Sequence, residues 1–210
     1  MPEHTVEQGD CLESIAVRYG HFWETLWNHP QNADLKKKRK NPNVLLPGDV
    51  VFVPEKQPKE ESCATDKTHL FRRKGVPSKL RIRLLDDDKP RARQQYRLII
   101  GEQTFTGATD GDGWLEHPIP PEATAGRLIV VNNEEEEEYP LELGHLDPIE
   151  EVSGVQARLN NLGFDCGPAD GILGERTGAA IRAFQRAHGL KLTGKLDEAT
   201  REKLKAEHGC

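Results

Sequence analysis

Hydrophobic positions along the chain change rhythm twice, and the changes divide it into three blocks. From His4 to Pro54 short apolar runs mix extended and helical spacing, from His69 to about Leu146 they alternate with polar residues, and from Val152 onward they recur every three or four positions. In the first block Thr5-Val6-Glu7 is a short extended start. Asp10 then stands as a helix N-cap with Glu13 three residues on, a capping-box arrangement. Leu12, Ile15, Ala16 and Tyr19 share one helical face, and Gly20 supplies a left-handed stop. Phe22, Trp23, Leu26 and Trp27 repeat the spacing in a second helix, which Asn28-His29-Pro30 ends because the residue before a proline avoids helical geometry. Asn41-Pro42-Asn43 and Pro47-Gly48-Asp49 bracket a turn, and Val50-Val51-Phe52-Val53-Pro54 reads as a closing strand.

In the middle block Leu80–Leu84, Tyr96–Ile100, Thr104–Thr106, Gly113–His117 and Gly126–Val131 are strand patterns. They recur at roughly ten-residue intervals, which predicts a small antiparallel sandwich. Asp86-Asp87-Asp88-Lys89-Pro90 favours a turn between the first two. The stretch Gly107–Trp114 invites a calcium reading, but Trp114 stands where a third oxygen ligand belongs and the distal Glu is missing, so a hairpin turn is expected. Glu134 to Glu138 reads as a solvated loop or strand end, with loosely held calcium as the alternative.

In the last block Val152, Val155, Leu159 and Leu162 lie on one helical face, with Ser153 near the start and Gly163 as the stop. Glu175 to His188 carries Ala180, Ile181 and Phe184 on another face and ends at Gly189, and Ala199 to Glu207 carries Leu204 on a third helix. A partial internal repeat is visible, since Asp170-Gly171-x-x-Gly174-x-x-Thr177 and Thr193-Gly194-x-x-Asp197-x-x-Thr200 share their spacing. The expected fold class is multidomain α+β. It comprises a βααβ module over residues 1–56, a linker over 57–68, an antiparallel β-sandwich over 69–146 and a three-helix bundle over 147–210.

Composition and charge narrow the functions open to such a chain. With 210 residues, 30% charged and 35% hydrophobic, it suits several small cores better than one deep one. Its longest apolar runs fall far short of the roughly 20 residues that cross a bilayer, so no membrane span is expected. The net charge of −6 argues against nucleic acid as a partner. The basic run Lys36–Lys40 reads as a solvated loop, with an anionic-polymer patch as the alternative. Cys11, Cys63, Cys166 and Cys210 form no C-x-x-C pair and read as thiols, a Cys166–Cys210 disulfide being the minority alternative. The Met-Pro-Glu-His-Thr start lacks a basic flank and apolar stretch, so synthesis in the cytoplasm without a signal peptide is expected. The eight histidines show neither the helical i, i+4 pair of a zinc protease nor a cluster with acids, and no serine elbow, phosphate loop or dinucleotide fingerprint appears. The expectation is a non-enzyme with no cofactor and no metal.

Three resemblances rest on particular residues. His4-Thr-Val-x-x-Gly-Asp-x-Leu-x-x-Ile-Ala-x-x-Tyr-Gly20 followed by Asn41-Pro-Asn-x-x-Leu-Pro-Gly-Asp-x-Val-x-Val-Pro54 resembles a LysM domain over residues 3 to 55, with Cys11 where that family usually has Thr or Ser. The resemblance implies binding of N-acetylglucosamine polymers in a shallow groove. On this chain the groove would lie between Gly9, Asp10, Cys11 and Leu12 on one side and Asn41, Pro42, Asn43, Val44, Leu45 and Leu46 on the other. The turn placement over residues 76 to 145 resembles prealbumin-like or carboxypeptidase-regulatory β-sandwich modules. Over residues 150 to 208, Gln156, Leu162-Gly163-Phe164, Gly167-Pro168-Ala169-Asp170-Gly171, Thr177, Phe184-Gln185 and Thr193-Gly194 resemble the three-helix peptidoglycan-binding domain often appended to wall hydrolases. In that domain Asp170 and Gly171, with Phe184 and Gln185, form a second candidate wall site. Asp170 divides between loop brace and ligand contact, and Phe184 and Gln185 between core anchor and groove edge.

Together the resemblances imply a non-catalytic, bivalent binder of peptidoglycan or a related amino-sugar polymer, acting at the periplasm or cell wall after export by a route outside the general secretory one. The alternative is an accessory or adaptor of a contractile injection system, whose partners would be secretion-spike or baseplate proteins.

Overall fold

The computed structural model describes residues 3–56, 62–70, 78–86, 89–132 and 135–209. It contains helices and antiparallel sheets, a mixed α+β architecture, and the chain divides into two compact units. One takes Met1–His4, Leu12–Asn32 and Val51–Leu143; the other takes Thr5–Cys11, Ala33–Val50 and Gly144–Cys210.

The N-terminal block begins with β1 (Glu3–Thr5), α1 (Leu12–Tyr19) and α2 (Trp23–Trp27). Leu12, Ile15, Ala16 and Leu26 are buried, as the three-and-four spacing requires, and Gly20 stops α1 at a φ of 71°. Phe22 departs from the expected apolar face: it stands ahead of α2 in extended conformation and is exposed. Asp10 stands two residues ahead of the helix start, and its carboxylate accepts from the Glu7 N–H at 3.1 Å. A 3-10 turn, Pro30–Asn32, follows α2. There the buried Asn32 donates to the carbonyls of Leu26 and Phe52 and accepts from the Phe52 N–H at 2.8 Å, satisfying both backbone groups of one strand residue.

The basic run is not a solvated loop. It forms the end of α3 (Ala33–Arg39), where cations suit the negative end of the helix dipole. Arg39 turns inward, its Nε and Nη2 donating to the two carboxylate oxygens of the buried Asp49 at 2.6 and 2.8 Å. Asp49 also accepts from the Leu46 N–H at 3.0 Å, tying the preceding loop to the ion pair. Val6 N–H donates to the Asp49 carbonyl at 2.8 Å, and the Gly48 N–H donates to the Val6 carbonyl at 2.9 Å. β2 (Val50–Phe52) follows and pairs with β1.

The middle block holds β3 (Ser78–Arg83), the short pair β4 (Leu85–Asp86) and β5 (Lys89–Pro90), β6 (Gln95–Ile100), β7 (Gln103–Ala108), β8 (Trp114–Ile119), β9 (Ala125–Asn132) and β10 (Glu135–Glu142). The sheets are a four-stranded one of order β10-β9-β6-β7, a two-stranded one of β3 with β8, and the β4-β5 pair. Tyr96, Leu98, Ile100, Leu128 and Val130 from the larger sheet share one core with Leu115, Leu80 and Ile82 from the β3-β8 pair. The Gly107–Trp114 stretch is a turn in which one Asp110 oxygen accepts from the Asp112 and Trp114 N–H groups, each at 2.9 Å. The acidic run is a paired edge strand rather than a loop, apart from Glu134, which lies outside the described residues with Asp87 and Asp88. Arg97, Arg91 and Arg127 meet Glu136, Glu137 and Glu138 at 3.2, 2.8 and 3.5 Å. Of the expected linker, residues 62–68 are exposed and carry no helix or strand, and 57–61 lie outside the described residues.

The last block is α4 (Val152–Asn161), α5 (Glu175–Ala187) and α6 (Glu198–His208), close to the spans read from the sequence. Val155, Leu159, Cys166, Ala180, Ile181, Phe184 and Leu204 form its core. Cys166 is a free thiol there, and Cys210, its suggested disulfide partner, lies outside the described residues.

Asp49→Ala removes the bidentate partner of the buried Arg39 guanidinium, leaving it only Glu151 at 4.0 Å, and is expected to destabilise the fold around it by about 3 kcal/mol. Limited proteolysis and thermal denaturation of the full chain would read this as early loss of the block before residue 56.

Candidate functional site

Two buried glutamines organise the helical domain. Gln156, on α4, donates through Nε2 to Asp170 Oδ1 at 2.9 Å, the Ile172 carbonyl at 3.1 Å and Thr177 Oγ1 at 3.1 Å, and its Oε1 accepts from the Gly171 N–H at 2.8 Å. Gln185, on α5, donates to Thr193 Oγ1 at 2.9 Å, the Lys195 carbonyl at 3.2 Å and Thr200 Oγ1 at 2.9 Å, and accepts from the Gly194 N–H at 2.9 Å. The partners correspond one to one in the repeat: residue 170 to 193, 171 to 194, 172 to 195 and 177 to 200. Each amide thus ties the helix it sits on to the loop and first turn of the next helix. Gly171 and Gly194 sit at φ of 77° and 64°, the left-handed region that an L side chain rarely adopts.

Between the two loops lies an open cleft of about 430 Å³. Leu173 and Gly174 line it from the first copy and Gly194, Lys195 and Leu196 from the second, with Gly178 of α5 and Arg201 of α6 completing the wall. The helices that start here are capped differently. Asp197 accepts from the Thr200 N–H at 2.9 Å at the start of α6, whereas Gly174 supplies no side-chain cap to α5.

The sequence-read wall site divides around this cleft. Phe184 and Gln185 are fully buried, so they support the loops from beneath. Asp170 is exposed, yet its Oδ1 is taken by Gln156 and by the Ile172 N–H at 2.9 Å, which makes it a brace, and Gly171 is its turn partner. Sequence reasoning did not single out Leu173, Gly178, Lys195, Leu196 or Arg201. The usable signal was Ile172-Leu173, two large apolar residues inside a glycine turn, both now exposed.

In the N-terminal module the Gly9–Leu12 and Asn41–Leu46 segments are mixed in exposure. Asp10, Leu12, Val44 and Leu45 are buried, which makes their side chains supports rather than a ligand cover. Gly9, Cys11, Asn41, Pro42 and Leu46 are partly exposed and Asn43 is exposed. Asn41 Oδ1 accepts from the Asn43 N–H at 2.9 Å, fixing that turn. The Gly9 carbonyl lies against Gly144, where an added Cβ would stand 2.5 Å from the oxygen, and Gln8 Nε2 donates to the His145 carbonyl at 3.1 Å. Among the described residues no group of three His, Cys, Asp or Glu could hold a metal ion, and no helix is long and apolar enough to cross a membrane.

Hydrogen bonds from Gln156 and the Ile172 N–H hold the Asp170 carboxyl below the usual aspartate range, and the Thr200 and Thr193 hydroxyls do the same for Asp197. Burial, helped by the Arg158 charge, pushes His208 down to about 4. Every one of these shifts makes the unfolded chain bind more protons than the folded one on acidification. The His208 contribution is complete above its ordinary value of 6.5 and is lost as the pH falls toward about 4, where the aspartate contributions begin to go. The thermal midpoint of the helical domain is therefore expected to hold steady above about pH 7 and fall between pH 6.5 and 4, and His208→Gln should remove the upper part of that fall in calorimetric scans.

Gln185→Leu strands the Gly194 N–H and the Lys195 carbonyl, and is expected to cost about 3 kcal/mol in urea unfolding followed by helical circular dichroism. Gln156→Leu should cost a similar amount, because its partners are the repeat equivalents.

No curated protein and no solved structure matches this chain. One family model does, and it falls on the segment that carries both glutamines and the whole cleft: residues 149–204 match the family described as "Putative peptidoglycan binding domain", so the C-terminal helical domain is similar to peptidoglycan-binding domains.

Proposed function

We propose that the chain binds peptidoglycan without cleaving it, and that the cleft between the two glycine loops is where it does so. The observation that carries this reading is coincidence of position: every residue lining the cleft lies within the 149–204 match. The cleft's volume falls in the roughly 300–1,000 Å³ range of small-ligand sites; Leu173, Lys195 and Leu196 sit on loops whose backbone is fixed from beneath, and Arg201 on the first turn of α6. The LysM-like loops are the second arm of the proposal. Since Gly9 packs on Gly144, the Asn41–Leu46 turn is the part of that arm left to meet a polymer, and its engagement would make the second binding event intramolecular. Action at the cell wall or periplasm follows from the ligand.

Co-sedimentation of the full chain with purified wall sacculi tests this. The wild-type chain is expected in the pellet with no soluble wall fragments released. Leu173→Asp, at an exposed position that leaves the core intact, should weaken binding about tenfold, as loss of ~1.5 kcal/mol of apolar contact would. A chain that stays in the supernatant with every wall preparation, or that solubilises the wall, would overturn the reading.

A further inference from the structure

The two copies of the loop are unequal where they face the cleft. Leu173 and Leu196 are repeat equivalents and line it from both sides. The next pairs differ: Ile172 corresponds to Lys195, and Gly178 corresponds to Arg201. Both lining cations therefore belong to the second copy, while the first copy contributes Leu173 and the backbone of Gly174 and Gly178, the last beside the Arg182 guanidinium. Arg201 donates to the Ile149 carbonyl, which holds its guanidinium in place, and among the described residues no carboxylate pairs with Lys195 or Arg201. No aromatic ring, side-chain amide or carboxylate lines the cleft.

Sugar rings offer hydroxyls and flat apolar faces, which call for neutral acceptors and stacking surfaces that this cleft does not supply. A short peptide with a free carboxylate and small aliphatic side chains offers what it does supply. The carboxylate matches the cationic side through charge-assisted hydrogen bonds, and the aliphatic groups match Leu173, Leu196 and the bare backbone of Gly174 and Gly178. We infer that, within the wall-binding reading, this cleft takes the peptide stem of the polymer, carboxylate toward Lys195 and Arg201, rather than its glycan strand.

The test uses the full chain and four probes: intact sacculi, glycan strands stripped of their peptides, a soluble stem tetrapeptide with a free C-terminal carboxylate, and the same peptide as its C-terminal amide. The free-acid peptide is expected to bind in titration calorimetry and to displace the chain from sacculi, with the amide on the order of tenfold weaker. Lys195→Gln, at an exposed side chain, should weaken the free-acid peptide on the order of tenfold and leave the amide unchanged, and Lys195→Arg should restore it. Competition by bare glycan strands with no competition by peptide would overturn this inference and leave wall binding standing. A chain that binds no sacculi at all would fail the wall-binding reading first and this one with it. Equal affinity for acid and amide would overturn the role of the two cations.

Discussion

Two buried side-chain amides set the geometry on which the helical domain depends. A loop that turns over the end of a helix core presents backbone N–H and C=O groups that must find partners away from water. Gln156 and Gln185 answer this with a primary amide on a two-methylene stem: the acceptor takes the glycine N–H and the donors take the carbonyl one residue later. A glutamate there would lack the donors and carry an uncompensated charge, and an asparagine would be one methylene shorter. The same solution, used twice, gives the two loops matching local geometry, and the cleft is the space between them.

The copies share this brace and differ in where they keep their acid. In the first, Asp170 stands at the loop's start and Gly174 at the helix cap; in the second, Thr193 stands at the start and Asp197 at the cap. Thr193 donates to Asp197 at 2.8 Å, so the second copy's carboxylate is consumed by its own loop and helix start. The exchange leaves bare backbone at Gly174, where it lines the cleft. A carboxylate at that position would meet any anionic ligand with repulsion, so the placement of one glycine and one aspartate preserves a cleft whose charged groups are cations.

Much of this was legible in the sequence where period and turn chemistry agreed. The strands β6 and β9 were readable because Tyr96, Leu98, Ile100, Leu128 and Val130 recur at every second position in short apolar runs, and α4 and α5 because their apolar faces end at Gly163 and Gly189. The basic run departs from its expected loop. Lys36–Lys40 carries no apolar periodicity, and the partner that buries Arg39 lies ten residues further on at Asp49, so neither α3 nor the ion pair has a local signature. Glu135–Glu138 reads as solvated, and Glu135, Glu136 and Glu138 are exposed, but the pairing of Glu136 and Glu138 with arginines on β6 and β9, and that of Glu137 with Arg91 just ahead of β6, has no local signature either. The glutamines were visible as motif letters, but their role was not. A buried Gln looks like any polar residue until its acceptors, 14 to 21 residues ahead of Gln156 and 8 to 15 ahead of Gln185, are placed in space.

The chain's net charge of −6 bears on how such a site can work. A bacterial wall polymer is itself rich in carboxylates, so at long range the two repel, and electrostatic steering cannot supply the affinity. At physiological ionic strength that repulsion is screened beyond about 8 Å, whereas a carboxylate seated against a fixed guanidinium within hydrogen-bond distance is screened much less. On the proposed reading, recognition comes from short-range contacts in a pre-formed cleft. This is what rigid bracing from beneath provides, because loops already held in one conformation lose little freedom when a ligand arrives.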